Sequence, residues 1–330
     1  MKHYNIPIFV PHRGCPFDCV FCNQKHITGV VEETTDEEIK QIIESHLRTI
    51  PHGAECEIAF FGGSFTGIER EEMDRYLGIA YPYVECGAVS GIRISTRPDY
   101  IDEKILTHLA KFGVKVIELG VQSMDEEVLF ASNRGHTPGD VRKAAALIKQ
   151  YGFGLGLQMM TGLPGDTPER SVHTADEIIA LSPDCVRIYP TLVIRDTRLE
   201  EMYRNGEYTP QSVEEAVALC AVLLKKFRKA GITVIRVALA TTDEISPGGM
   251  LVAGPFHSAF RELAESRIYY EEIKESLDNR KEITVAVNPK EISKAVGNKR
   301  ENIKKLEEEY GVQMKVRGDA RIKKGNFKIR

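Results

Sequence analysis

The sequence has no run of about 20 apolar residues, the length a membrane-spanning helix needs. Its longest apolar candidate, Ala216 to Leu224, fits a buried helix face. The first residues, MKHYNIPIFVPHRG, lack the apolar core and cleavage site of a secretory signal and read as a strand. Secretion and membrane spanning are therefore not expected, and a cytoplasmic location is. No internal repeat or low-complexity segment is present. An even cysteine set is missing too: seven in 330 residues argues against a disulfide framework. What is there is 42% apolar and 28% charged, enough to bury a sizeable core, with room for one large domain and a small second one.

Three of the cysteines, Cys15, Cys19 and Cys22, stand together as C-x3-C-x2-C, and Cys56, Cys86, Cys185 and Cys220 are scattered. Three thiolates this close suit a soft metal centre. A structural zinc site needs a fourth ligand, for which His12 and His26 are the nearest candidates. A [4Fe-4S] cluster held by three cysteines instead leaves one iron open. The scattered four read as small buried hydrophobes or loop residues.

Charge is uneven. Residues 281–330 carry 14 Lys and Arg against 7 Asp and Glu, which leaves 30 against 41 for residues 1–280 out of totals of 44 and 48. A basic tail on an acidic body suggests a polyanionic partner, and a solvated lysine-rich surface is the bland alternative.

Seven β-rich runs alternate with helical patterns: Ile6–Val10, Glu57–Phe61, Gly91–Ser95, Val116–Val121, Gly154–Met160, Asp184–Tyr189 and Thr233–Leu239. Thr35 to Glu38 reads as a capping box, and Thr167-Pro168 and Thr209-Pro210 as further helix starts. Such alternation means βαβ units, hence a parallel sheet with ligands at the carboxyl ends of its strands. The loops Gly62-Gly63-Ser64, Thr96 to Asp99, Gln122-Ser123 and Gly162 to Asp166 are expected to meet on that rim. After a helix over Phe256–Leu277 the pattern changes. Ile283–Val287 and Val312–Val316 read as strands, Pro289–Val296 and Glu301–Tyr310 as helices, so the boundary is expected near residue 280.

The C-x3-C-x2-C loop after a first strand, with Phe21 before its last cysteine, resembles the radical S-adenosylmethionine superfamily. The likeness continues in order through Phe61 to Phe65, Ser95 to Asp99, Leu119 to Ser123, Asn133 to Thr137, Gly162 to Asp166 and Tyr189 to Ile194. This series is similar to the radical domain of the Elongator catalytic subunit, a tRNA wobble-uridine modifying family, and in part to oxygen-independent coproporphyrinogen oxidases. The resemblance spans about residues 5–275. It implies an α/β fold, a partial (β/α)6 barrel open on one side. It also implies reductive cleavage of S-adenosyl-L-methionine at a [4Fe-4S] cluster to a 5′-deoxyadenosyl radical, with ferredoxin or flavodoxin as electron donor.

By the same resemblance Cys15, Cys19 and Cys22 would ligate the cluster, and Phe21 would lie near the adenine. Gly62, Gly63 and Ser64 would meet the methionine end, and Gln122, Arg134 and Gln158 would contact the cofactor. Gln122 and Gln158 also fit a role capping strand ends, and Arg134 a loop ion pair. Ser95 and Gln158 depart from carboxylates common at those places. His136 and Tyr189 are expected near the cavity, with no catalytic acid or hydrogen donor assigned.

The strand–helix–loop–helix–strand pattern of residues 283–316 resembles a KH domain, whose GXXG loop clamps single-stranded nucleic acid. Gly297-Asn298-Lys299-Arg300 matches except at the second glycine, which is Arg300. Lys294, Lys304, Arg317 and Lys323 are expected to add basic surface. The expected organisation is thus a radical domain at 1–280 and a KH-like α+β RNA-binding module at 281–330, acting on RNA with tRNA first. The Elongator subunit's acetyltransferase domain has no counterpart in the remaining fifty residues, so carboxymethylation by this chain alone is not expected. The alternative is a small-molecule or protein substrate, as in the porphyrin enzymes, with the tail structural. An RNA-binding regulator with a redox-sensing cluster is the third reading.

Overall fold

The computed structural model describes residues 3–10, 18–22, 34–51, 53–239, 245–246, 248–278 and 280–330. Cys15, His12 and His26 lie outside the described residues. The chain divides into two compact units, Met1–Pro210 with Ala230–Gly254, and Gln211–Lys229 with Pro255–Arg330.

In the first unit every one of the seven expected strands forms: β1 (His3–Val10), β2 (Glu55–Gly62), β3 (Gly91–Thr96), β4 (Val114–Gln122), β5 (Gly154–Thr161), β6 (Cys185–Pro190) and, after a two-residue β7 (Val193–Ile194), β8 (Thr233–Val237). They make one all-parallel sheet in the order β1-β2-β3-β4-β5-β6-β8. Its edges β1 and β8 do not pair, so the barrel is partial and open as the resemblance implied, with a seventh strand added to the six. Between strands run α1 (Asp36–Thr49), α2 (Arg70–Glu85), α3 (Glu103–Ala110), α4 (Glu126–Ala131), α5 (Pro138–Gln150), α6 (Pro168–Ala180) and α7 (Arg198–Arg204). The capping box at α1 is real: Glu38 N donates to Thr35 Oγ1 and Thr35 N to Glu38 Oε2. Ile39 and Ile43, one turn apart, are fully buried beneath it. Because the strands are parallel, all their carboxyl ends open on one rim.

The second unit holds α8 (Val213–Lys229), α9 (Phe260–Glu275), β10 (Glu282–Val287), α10 (Ile292–Val296), α11 (Glu301–Tyr310), β11 (Gln313–Gly318) and β12 (Phe327–Ile329), while the short β9 (Leu251–Ala253) pairs with β7 in the first. Helix α8 starts later than Thr209-Pro210 suggested, because Ser212 and Glu215 form a reciprocal cap there. β10 pairs in parallel with β11 and antiparallel with β12, a strand not anticipated from sequence. Tyr269, Tyr270 and Ile273 of α9 complete the core formed by Ile283, Val285, Val287, Leu306 and Met314.

Candidate functional site

The rim of the first unit is built around a glycine whose place would strain any other residue. Gly62 ends β2 with φ +116°, and a Cβ there would lie 2.5 Å from the Val10 carbonyl oxygen of β1. The loop that follows is tied to the end of β3 by hydroxyls. Thr66 Oγ1 donates to the Tyr100 carbonyl, 2.9 Å away, and sits 2.6 Å from Thr96 Oγ1, which in turn sits 2.8 Å from Ser64 Oγ. One proton per hydroxyl then orders the chain: Ser64 donates to Thr96, Thr96 to Thr66. Ser64 Oγ also accepts from Arg97 N. The Ser64 side chain is therefore occupied in holding two loops together.

Opposite stands the segment 18–22. Val20 N donates to the Ser132 carbonyl, Asn133 Nδ2 to the Asp18 carbonyl, and Leu199 N to the Val20 carbonyl. Val20 packs with Val193, Leu199 and Tyr208. So anchored, Cys19, Phe21 and Cys22 face Gly62, Gly63 and Ser64 across a cavity of about 170 Å³.

Gln122, Arg134 and Gln158 line the same cavity. Gln122 has φ 66°, at a register shift between β4 and β5, and its Oε1 accepts from Gln158 Nε2 at 3.1 Å. Gly120 leaves room here: a Cβ would lie 2.9 Å from Arg134 Nη2. Arg134 is buried, donates from Nη2 to the Gly120 carbonyl (2.8 Å), and holds Nη1 3.6 Å from Cys19 Sγ. Its Nε is buried without a hydrogen-bond partner among the described residues. Arg97, clamped by Asp99 through two 2.9 Å bonds, supports Arg134 by donating to its carbonyl.

Sequence reasoning missed Glu118, which lines the cavity from mid-strand β4. Its signal was a lone acid inside the apolar run VKVIELGVQ. It belongs to a buried ladder across the strands. Arg93 bridges Glu57 (2.8 Å) and Glu118 (2.9 Å), and Arg187 meets Glu118 through Nε (2.5 Å) and Nη2 (2.9 Å). Burial alone would raise the Glu118 pKa, but hydrogen bonds and charge from Arg187 and Arg93 outweigh it and hold it below the usual carboxylate range.

His136 and Tyr189 are not among the cavity-lining side chains. His136 is turned to the Val121 carbonyl, 3.1 Å from Nε2, and its Nδ1 has no partner among the described residues. Tyr189 Oη accepts from Arg187. Burial, then the Arg134 and Arg97 charges, lower the His136 pKa to about 3. The unfolded chain thus takes up a proton below about pH 6.5 that the folded chain refuses until about pH 3. Stability should fall as pH falls through this window, by at most about 1.4 kcal/mol per unit. Urea titrations should show that slope flattened in His136→Gln between about pH 6 and pH 4; an unchanged slope would assign the pH dependence to other groups. Of the scattered cysteines, Cys56, Cys185 and Cys220 are buried, and burial pushes the Cys220 thiol up to about 12, as inert core groups should behave.

In the second unit, Gly297 (φ +83°) lies so close to α11 that a Cβ would stand 2.8 Å from Asn302 N. Asn302 is buried, its Nδ2 within 3.1–3.2 Å of the Ser266, Lys294 and Ala295 carbonyls. Lys299 and Arg300 follow, exposed, with φ 48° and 65°. Arg300 thus keeps the left-handed backbone that glycine, expected at this place, would adopt freely. Arg300→Gly should stabilise by about 0.5–1 kcal/mol, read as a higher urea midpoint; a lower midpoint would mean that the side chain carries packing. A cavity of about 400 Å³ adjoins the loop, walled by His257 and Glu262. Lys294 does not add basic surface: it is half-buried in ion pairs with Glu265 and Glu291.

The sequence is similar to several known proteins. It is 42% identical over 129 residues to the tRNA uridine(34) acetyltransferase of Methanocaldococcus jannaschii, covering 38% of this chain and 24% of that one. It is 32% identical over 199 residues to human Elongator complex protein 3, covering 54% and 36%. The chain therefore spans about a quarter to a third of these relatives' lengths. Among solved structures, the archaeal Methanocaldococcus infernus Elp3 with residues 1–46 deleted superposes with a TM-score of 0.61 at 26% identity, covering 84% of this chain and 64% of that one. Residues 9–178 match the Radical SAM superfamily and residues 183–270 the Radical_SAM C-terminal domain. With the first match alone spanning more than half of the sequence, the chain belongs to the radical SAM superfamily, whose members use a [4Fe-4S] cluster and S-adenosylmethionine.

Proposed function

We propose that this protein is a radical enzyme that modifies RNA, tRNA first among candidates, with Cys15, Cys19 and Cys22 as cluster ligands. The observation that carries the RNA reading is the similarity of part of the chain to a tRNA uridine(34) acetyltransferase. The rim residues fit the two groups. Cys19 and Cys22 offer soft donors beside a glycine cradle that one Cβ would fill. Arg134 Nε, unpartnered among the described residues, and the Gln122–Gln158 pair offer donors and acceptors suited to the charged end of an amino acid. When bound, cluster and cofactor supply a carbon-centred radical able to abstract hydrogen.

The chain's own part is positioning. Gly62 and Gly63 allow backbone approach, Phe21 gives an apolar face for the adenine, and the hydroxyl chain from Ser64 to Tyr100 keeps the loop from moving. A low-potential donor such as ferredoxin or flavodoxin supplies the electron. Residues 281–330 act as a KH-like RNA-binding module, with Gly297, Asn298, Lys299 and Arg300 meeting the backbone of the nucleic acid. Among the described residues no helix is long and apolar enough to cross a membrane.

The test is to incubate the loaded enzyme with bulk tRNA, reductant and cofactor, and to digest the RNA for nucleoside mass spectrometry. A new nucleoside is expected with wild type and none with Cys19→Ala, which should also lose its iron. Iron retained in that variant would refute the ligand assignment, and unmodified tRNA with an active wild type would refute the RNA reading.

A further inference from the structure

The basic charge of the tail is not spread over its surface. Residues 281–312 hold seven Lys and Arg against six acids, close to balance, whereas residues 313–330 hold seven against a single acid, Asp319. Strand register then decides where that excess points. Ala286 of β10 is paired with Arg317 of β11 on one side and Lys328 of β12 on the other. Two residues along, Thr284 is paired with Lys315 and exchanges both backbone hydrogen bonds with Arg330. Directly paired residues share a sheet face, and neighbours along a strand alternate. Val285, Val316 and Ile329 therefore face the helices, and on the opposite face four cations flank Thr284 and Ala286, with Glu282 at the start of the same middle strand.

All four cationic residues are exposed. Among the described residues neither Arg317 nor Lys328 has a carboxylate partner. Lys315 reaches Glu282 only at 3.8 Å, in a pair open to water, and Arg330 stands 3.5 Å from an Asp319 that Arg321 already holds at 2.8 Å, so both cations are free to meet another anion. The strand spacing puts the two cationic rows about 7 Å apart along the sheet, with about 10 Å between the cations of one row. No aromatic side chain lies in these two rows, because Phe327 alternates inward, so this face offers no platform for stacking a base.

We propose that this open sheet face, rather than the Gly297–Arg300 loop alone, is the main contact of the tail with RNA, gripping its phosphate backbone without reading sequence. The inference rests on the RNA reading above and adds a second surface to it. The test is fluorescence anisotropy of labelled bulk tRNA with the full-length loaded protein, between about 50 and about 200 mM salt. Two variants are compared with wild type. Arg317→Gln with Lys328→Gln removes two cations, and Thr284→Glu sets a carboxylate among all four.

Both variants should bind roughly tenfold more weakly. The double variant should flatten the log–log salt slope by about 0.7–0.9 per lost contact, equally for tRNA and for unrelated RNA. Melting temperatures should stay close to wild type, since all three positions lie on the outer face. Wild-type affinity in both variants would overturn the sheet-face proposal and leave the RNA reading intact. A wild type that does not bind tRNA even at about 50 mM salt would overturn both. Loss of binding to phosphatidylserine vesicles with tRNA affinity untouched would overturn it in favour of a lipid surface.

Discussion

Replacing Glu118 with Gln is expected to destabilise the protein by about 3–5 kcal/mol, a large part of the roughly 5–15 kcal/mol that holds a domain folded. The carboxylate accepts three hydrogen bonds from two guanidiniums at a place 4% exposed. An amide presents hydrogens of its own toward those donors and leaves Arg187 without its counter-charge. The neighbouring strand is shaped to the group: a Cβ on Gly156 would lie 2.7 Å from Glu118 Cγ. The sign of the pH effect follows. Glu118 titrates lower in the folded state than its unfolded value of about 4.3, so its contribution is full above that value and is lost as pH falls through the folded one. Urea unfolding of wild type and variant at neutral and acidic pH checks both statements. A loss below about 1 kcal/mol would mean that water relieves the ladder.

The second large effect is expected at Gly62. Alanine there must place its Cβ against the Val10 carbonyl, 2.5 Å away, in a backbone region that residues with a Cβ rarely occupy. Neither atom can give way without moving β1 or the loop that reaches Ser64, so the cradle itself shifts. Binding of S-adenosylmethionine should weaken by about a hundredfold, equivalent to about 2.7 kcal/mol. Iron content should stay near wild type, since the cysteines are on another segment. Equilibrium dialysis with labelled cofactor separates the two: full affinity in Gly62→Ala would remove this loop from the binding site.

The strands were legible because each is a short Val, Ile and Leu run set between helical periodicities, and a parallel order follows almost by necessity. The rim loops were legible for the same reason, being whatever follows those runs. The ladder was not. Arg93 lies 36 residues from Glu57 and 25 from Glu118, and Arg187 lies 69 from Glu118. Each alone looks like a polar position on a half-exposed strand. Only sheet order makes them neighbours.

Ser64 lies on the rim, but its hydroxyl partner, Thr96, is 32 residues away, so its engagement there was invisible in the sequence. β12 was missed because three residues, Phe327, Lys328 and Ile329, carry too little pattern to announce a strand, and β10 supplies its partner from about forty residues upstream. The helix α9 reads as the last helix of the barrel until Tyr269 and Ile273 are seen in the tail's core.

Formation of 5′-deoxyadenosine by the anaerobically reconstituted protein, measured with reductant and cofactor in the presence and absence of bulk tRNA, tests the central claim most directly. An enzyme built to act on RNA should cleave its cofactor slowly alone and markedly faster when tRNA is added. Cleavage at one slow rate in both would contradict RNA as the substrate.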